Sequence, residues 1–199
     1  MTTLVLATRN AYKVGELRAL LADLPVAIRS LADYPAVPDV PETGATFAEN
    51  AALKARAVAA ATGHLALADD SGLVVDALGG APGIRSSRFA GPGATDRDRV
   101  DRVLALMKDV PEERRAARFV AAVAVAAPGG EARTVVAACE GRIAFAPRGE
   151  HGFGYDPIFL IPDRGLTMAE LPPEEKNRIS HRAQAIARAR EALREVLGA

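Results

Sequence analysis

Two hydrophobic periods alternate along this chain, and between them they leave few folds open. Leu4-Val5-Leu6-Ala7 is a continuous apolar run of strand length, the mark of a strand covered on both faces. Past the polar turn Thr8-Arg9-Asn10, the residues Val14, Leu17, Leu21 and Leu24 return at helical spacing as far as Pro25. Val26 to Leu31 reads as the next strand and Pro35 to Pro41 as a loop. Thr46-Phe47-Ala48-Glu49 has capping-box form and opens an alanine-rich helix that Gly63 ends. Leu65 to Ala68 is another buried strand, broken by Asp69-Asp70-Ser71-Gly72 and resumed by Leu73-Val74-Val75, and Gly79 to Gly93 reads as a long loop.

The second half repeats the pattern. Thr95 caps a helix carrying Val100, Val103, Leu104 and Met107 on one face. Phe119 to Ala127 and Thr134 to Ala138 are strand-like and flank the turn Pro128-Gly129-Gly130, which makes a hairpin. The glycine-rich stretch Gly149 to Gly154 leads to a short strand, Ile158 to Ile161, and Thr167-Met168-Ala169-Glu170 has capping-box form again. A terminal helix turns Ile179, Ile186, Leu193 and Leu197 inward. Alternating strands and helices predict an α/β fold, and the hairpin makes its sheet mixed.

The bulk numbers narrow the partners. With 199 residues the chain fits one domain spanning 1–199. Net charge is zero, so no long-range field draws it to nucleic acid or an anionic membrane. A polyanionic ligand must therefore be met by local cations or a metal. Cys139 is the one cysteine, which suits a reducing cytoplasm. No apolar run approaches the roughly 20 residues of a membrane span, and the first residues lack the basic region of a signal peptide. The expectation is a cytoplasmic protein with neither nucleic acid nor membrane as partner.

Four segments carry residues suited to chemistry. In Thr8-Arg9-Asn10-Ala11-Tyr12-Lys13 a helix begins where a lysine stands, and unpaired N–H groups with a cation can hold a phosphate. A capped turn with a solvated lysine explains the same residues. At Asp69-Asp70 two acids interrupt an apolar strand at its C-terminal end, at a cost unless something satisfies them. Alternate residues of a strand face opposite ways, so these two carboxylates serve different roles. Mg²⁺ would satisfy one of them, and an Asx-turn is the plainer alternative. Gly152-Phe153-Gly154-Tyr155-Asp156 brackets an aromatic ring with glycines, as a stacking site or as a turn tucking a ring into the core. In Lys176-Asn177-Arg178-Ile179-Ser180-His181-Arg182 the helical phase puts His181 and Arg182 beside the buried face, and solvated arginines are the ordinary outcome there.

Taken in order, these segments resemble the inosine/xanthosine triphosphate pyrophosphatases, the Ham1-like family. The matching stretches are Leu6-Ala7-Thr8-Arg9-Asn10 with Lys13 and Glu16, then Glu42-Thr43-Gly44 through Phe47, Glu49-Asn50-Ala51 and Lys54-Ala55, then Ala68-Asp69-Asp70-Ser71-Gly72-Leu73. Gly79-Gly80-Ala81-Pro82-Gly83-Ile84, Gly152-Phe153-Gly154-Tyr155-Asp156-Pro157-Ile158-Phe159 and Glu175-Lys176-Asn177 with Ser180-His181-Arg182 complete the series. Each stretch alone is weak, but six in collinear order across the chain are specific. The resemblance implies an elongated mixed sheet flanked by helices, two lobes with a cleft between them, and a homodimer. It implies hydrolysis of ITP, dITP and XTP to the nucleoside monophosphate and pyrophosphate, with Mg²⁺ as cofactor.

By matching position, Thr8, Arg9, Asn10, Ala11, Tyr12 and Lys13 would cradle phosphates, with Lys54 and Lys176 as further cations. Glu42 and Asp70 would be the magnesium carboxylates, Asp70 also the general base, and Ser71 a substrate contact. Phe153, Gly154, Tyr155 and Asp156 would wall the base and sugar, with His181 and Arg182 at the purine edge. Arg9 stands where many members have a small residue, and Tyr12 where glycine or histidine is frequent. Two other readings use the same residues: a pyrophosphatase or phosphatase of another nucleotide class, and a nucleotide-binding module without catalysis. Product analysis separates the first, and undiminished ITP would mark the second.

Overall fold

In the computed structural model the described residues run from Thr2 to Leu197, and the expected inward side chain of Leu197 lies outside them. The elements are β1 (Thr2–Leu6), α1 (Ala11–Leu20), β2 (Val26–Ser30), α2 (Phe47–Thr62), β3 (Leu65–Val75), α3 (Asp96–Leu106), β4 (Ala116–Ala126), β5 (Arg133–Ile143), β6 (Phe159–Ile161), β7 (Leu166–Thr167), α4 (Pro173–Ile179) and α5 (His181–Leu197). The strands form one sheet in the order β2-β1-β3-β4-β5-β6-β7. β1 pairs parallel with β2 and β3, whereas β6 pairs antiparallel with β5 and β7. The fold is therefore α/β with a mixed sheet. Among the described residues no helix is long and apolar enough to cross a membrane.

The chain divides into two compact units. The first comprises Met1–Asp70, Ala121–Ala137 and Arg182–Ala199. Its strands are covered on both faces, and strand parity decides which helix each residue meets. Leu4, Leu6, Leu65 and Leu67 join Leu17 of α1, Leu21 just past its end, and Ile186 and Leu193 of α5. Val5, Ala66 and Ala68 join Ala51, Ala55, Val58 and Ala59 of α2. Alanines therefore dominate the packing against α2, and leucines dominate the packing against α1 and α5. Thr46 caps α2 by accepting the Glu49 N–H at 3.1 Å, but Glu49 reaches back to the Ala45 N–H at 2.6 Å, not to Thr46. Gly63, in the left-handed region at φ 69°, ends the helix as expected.

The second unit comprises Ser71–Val120 and Ala138–His181. Leu73, Val75, Val100, Val103, Met107, Phe119, Ile143, Phe159 and Met168 make its core. Thr95 caps α3 in a full capping box with Asp98.

Three sequence expectations change. β3 is not broken at Asp69-Asp70-Ser71-Gly72; it runs on as a single strand of 11 residues. The stretch from Gly79 to Gly93 is not plain loop, since Gly83–Arg88 forms a 3₁₀ helix. The terminal helix is two helices, because Ser180, at ψ 156°, leaves the helical region between α4 and α5. That break shifts the phase of everything after Ile179, which is why His181 and Arg182 are buried, at 5% and 1% exposure, instead of lying beside the buried face.

Candidate active site

The alternation that sorts the core also sorts the acids of β3. Asp69 has the parity of Leu65 and Leu67 and meets charges from α1 and α5. Its Oδ2 lies 2.7 Å from Lys13 Nζ and 3.1 Å from an Arg182 terminal nitrogen. The other terminal nitrogen of Arg182 lies 2.5 Å from Glu16 Oε2. Burial alone would raise the pKa of Asp69, but Arg182 and Lys13 hold it well below the usual carboxylate range. Burial would likewise lower that of Arg182, and Asp69 with Glu16 reverse it. The result is a chain of alternating charge: Lys13, Asp69, Arg182, Glu16.

Asp70 has the parity of Ala66 and Ala68 and turns toward α2. Lys54 of α2 places Nζ 2.8 Å from Asp70 Oδ1 and 3.1 Å from Glu42 Oε1, and it also donates to the Asp69 carbonyl at 3.2 Å. One ammonium thus serves two carboxylates. Burial would lower the pKa of Lys54, yet Asp70 and Glu42 hold it above its ordinary value. For Asp70, burial raises the pKa and Lys54 offsets only part of this, with Glu42 adding repulsion. Asp70 Oδ2 is buried and has no hydrogen-bond partner, a costly arrangement for a carboxylate oxygen. Asn50 of α2 fixes the approach of Glu42 by accepting the Gly44 N–H at 2.8 Å.

Among the described residues no three acids, histidines or cysteines converge as a ready ligand set. Mg²⁺ needs no such set, because it commonly takes one or two protein carboxylates and completes its shell with water and phosphate oxygens. A pair of carboxylates around one lysine, with one buried oxygen unmatched, fits that chemistry.

The turn before α1 is an Asn10-capped helix start. Asn10 Oδ1 accepts the N–H groups of Tyr12 at 3.0 Å and Lys13 at 3.2 Å, and Thr8 Oγ1 accepts the Asn10 N–H at 3.1 Å. Tyr12 is 63% exposed. Arg9 turns away from the turn: it donates to the carbonyls of Leu31 and Val37 and pairs with Asp39 at 3.0 Å. It ties down the segment that leads to Glu42.

In the second unit the residues around Phe153 come together. Asp156 Oδ2 accepts the Phe153 N–H at 2.9 Å and lies 2.5 Å from Lys176 Nζ. Lys176, 4% exposed, sits 4.8 Å from the centroid of the Phe153 ring. It is therefore a buried partner of that loop rather than a solvent-facing cation. Gly152 has φ 77°, and a Cβ there would run into the Asp156 carboxylate. Tyr155 donates its hydroxyl to the Ser86 carbonyl at 2.8 Å, and Gly154 donates its N–H to Asp96 at 2.7 Å. His181 stacks on Phe119 with ring centroids 4.8 Å apart. Ser71 follows Asp70 in β3, half-buried.

Sequence reasoning gave no role to Asp69, Glu16 or Asp96. Parity along β3 was the available signal for Asp69, and the three-residue spacing from Lys13, one helical turn, was the signal for Glu16. Nothing local links Asp96 to Gly154, which stands 58 residues away.

Comparison with known proteins gives the family. The Ham1 family profile matches residues 4–192. A protein of Geobacillus kaustophilus named dITP/XTP pyrophosphatase is 54% identical over 198 residues, covering 100% of this chain and 97% of that protein. One of the same name from Streptomyces coelicolor is 52% identical, covering 100% of both. The solved structure of a HAM1 protein from Coxiella burnetii superposes with a TM-score of 0.89 at 45% identity, covering 98% of this chain and 100% of that one. On full-length similarity at about half identity, and on a shared fold, this chain belongs to the Ham1 family.

Proposed function

We propose that this protein hydrolyses the α–β phosphoanhydride of non-standard purine nucleoside triphosphates, ITP, dITP and XTP, releasing the nucleoside monophosphate and pyrophosphate. The observation that carries the reading is the Glu42–Lys54–Asp70 cluster, in a chain whose relatives at 54% and 52% identity are named for this activity. Phosphoryl transfer asks mainly for positioning and charge neutralisation, and these residues offer both.

The roles follow from the contacts. Asp70, held at one oxygen by Lys54, takes the proton of the attacking water. The water oxygen bonds to phosphorus as the bridging P–O bond breaks, and pyrophosphate leaves with the electron pair. Glu42 and Asp70 would hold Mg²⁺, whose contribution is to neutralise charge building on the phosphate oxygens. Lys13, Thr8, Asn10 and Ala11 meet phosphate at the start of α1, where the helix dipole adds to the lysine charge. Lys54 keeps Asp70 and Glu42 ordered together.

Phe153 stacks on the base, backed by Lys176 and Asp156, and Tyr155 fixes the loop behind it. Ser71 contacts the substrate beside Asp70, and His181 and Arg182 stand at the purine edge. The protein works as a cytoplasmic homodimer, a reading that rests on the family resemblance and on a single buried cysteine.

A panel of nucleoside triphosphates with Mg²⁺, read separately for pyrophosphate and orthophosphate, tests the whole proposal. Conversion of ITP to IMP with one pyrophosphate is the expected result. Orthophosphate with accumulation of IDP would overturn it.

A further inference from the structure

Three consecutive residues of the Phe153 loop are each pinned by a different group. The Phe153 N–H is held by Asp156, the Tyr155 hydroxyl by the Ser86 carbonyl, and the Gly154 N–H by Asp96 Oδ2 at 2.7 Å. Asp96 is the only one of these anchors that is a charged side chain from a distant helix. It is the first residue of α3. Its second oxygen is bound by Arg99, one helical turn on, and Arg99 also donates to the carbonyls of Ser87 at 2.9 Å and Ala94 at 2.7 Å. Thus the carboxylate cannot swing away without breaking the Arg99 pair.

A charged acceptor on a backbone N–H makes a stronger bond than a neutral one. That bond fixes the peptide plane between Phe153 and Gly154, and the plane sets the direction of the Phe153 ring. Gly154 sits at φ 63°, in the left-handed region that its lack of a Cβ makes accessible. The same freedom would let the loop relax into other shapes if the anchor were lost.

We propose that Asp96 is a positioning residue for base recognition: through Gly154 it presents Phe153 to the purine, and Arg99 holds it in place. The inference rests on the reading of Phe153 as the base wall. It assigns to the start of α3 a part in choosing the base, and none in handling phosphate.

The test compares Asp96→Ala, Asp96→Asn and Phe153→Ala in the full chain. Each is measured for KM and kcat with ITP and for competitive inhibition by inorganic triphosphate, which has no base. Asp96→Ala should raise KM for ITP about 10-fold or more, the worth of one charge-assisted hydrogen bond, with kcat within a few-fold and triphosphate inhibition unchanged. Asp96→Asn keeps an oxygen for the Gly154 N–H but loses the charge and turns its amide N–H groups toward the Arg99 donors, so it should recover only part of the loss. If Asp96→Ala weakens ITP and inorganic triphosphate equally, or if KM for ITP stays put while Phe153→Ala raises it, the inference is overturned. If Phe153→Ala leaves KM unchanged, the base-wall reading itself fails, and the inference with it.

Discussion

Asp69 and Asp70 are neighbours in β3 that bind different cations: Asp69 holds Lys13 at 2.7 Å and Arg182 at 3.1 Å, and Asp70 holds Lys54 at 2.8 Å. Strand geometry demands the division, since adjacent side chains leave opposite faces. One acid is matched by two cations and buried completely. The other shares one cation with Glu42, and burial leaves its pKa raised where that of Asp69 is lowered.

Asp69→Asn should therefore act on stability. Removing one member of a buried charge network typically costs about 3–5 kcal/mol, because its partners stay buried without compensation. Urea unfolding at neutral pH checks this. The folded pKa of Asp69 lies below its ordinary 3.8. Its contribution is therefore complete above that value and is lost as pH falls through the folded one. The deficit of the variant should be constant from about pH 5 upward and shrink in stronger acid. A deficit independent of pH down to full acid unfolding would remove the ionised Asp69 from the account.

Asp70→Asn should act on turnover. Loss of a general base costs about 10²- to 10⁴-fold in kcat, while Glu42 keeps its pair with Lys54, so the unfolding midpoint should hold. Retained activity in this variant, beside an inactive but folded Asp69→Asn, would mean that the two acids have been assigned the wrong way round.

Much of this division was legible from residues alone, and what was not has physical causes. The parity argument needs only Leu65 to Asp70, and the caps at Thr46, Gly63 and Thr95 follow from their residue types. The strand break placed at Asp69 was wrong because adjacent acids disfavour a strand by propensity, and cations arriving from α1, α2 and α5 override that. Those cations lie as far as 113 residues away in sequence. The break at Ser180 was hidden because Ile179 and Ile186 stand seven apart and fit one unbroken helix equally well, with neither glycine nor proline between them. Helical phase alone then put Arg182 beside the buried face, although it is buried at the start of α5.

Cys139 should be a quiet thiol. Burial, with Glu140 adding repulsion, pushes its pKa up to about 11 from 9.0. At pH 8 the thiolate fraction is then roughly 100-fold below that of an unperturbed cysteine, and alkylation by iodoacetamide should slow in proportion. Because the folded pKa is the higher one, the linked stability is complete below 9.0 and is lost as pH rises toward the folded value. Labelling at the rate of free cysteine would show that β5 opens readily.

Lys13 and Arg9 stand in one turn, carry the same charge and should behave differently. The Lys13 ammonium pairs with Asp69, a carboxylate that it shares with Arg182, so charge is left over for a phosphate. The Arg9 guanidinium is spent on Asp39 and on the carbonyls of Leu31 and Val37. Those contacts hold the chain that runs on to Glu42, and exposed pairs of this kind contribute about 0–1 kcal/mol. Lys13→Ala should therefore raise KM for ITP by about 10-fold or more, as loss of one charged hydrogen bond implies. It should weaken inorganic triphosphate equally, because the lysine meets phosphate alone. Arg9→Ala should change both by only a few-fold and should instead raise the Mg²⁺ concentration needed for half-maximal activity, since its segment carries Glu42. If Arg9→Ala matches Lys13→Ala on triphosphate, the arginine leaves its strap to bind phosphate as the family resemblance implies.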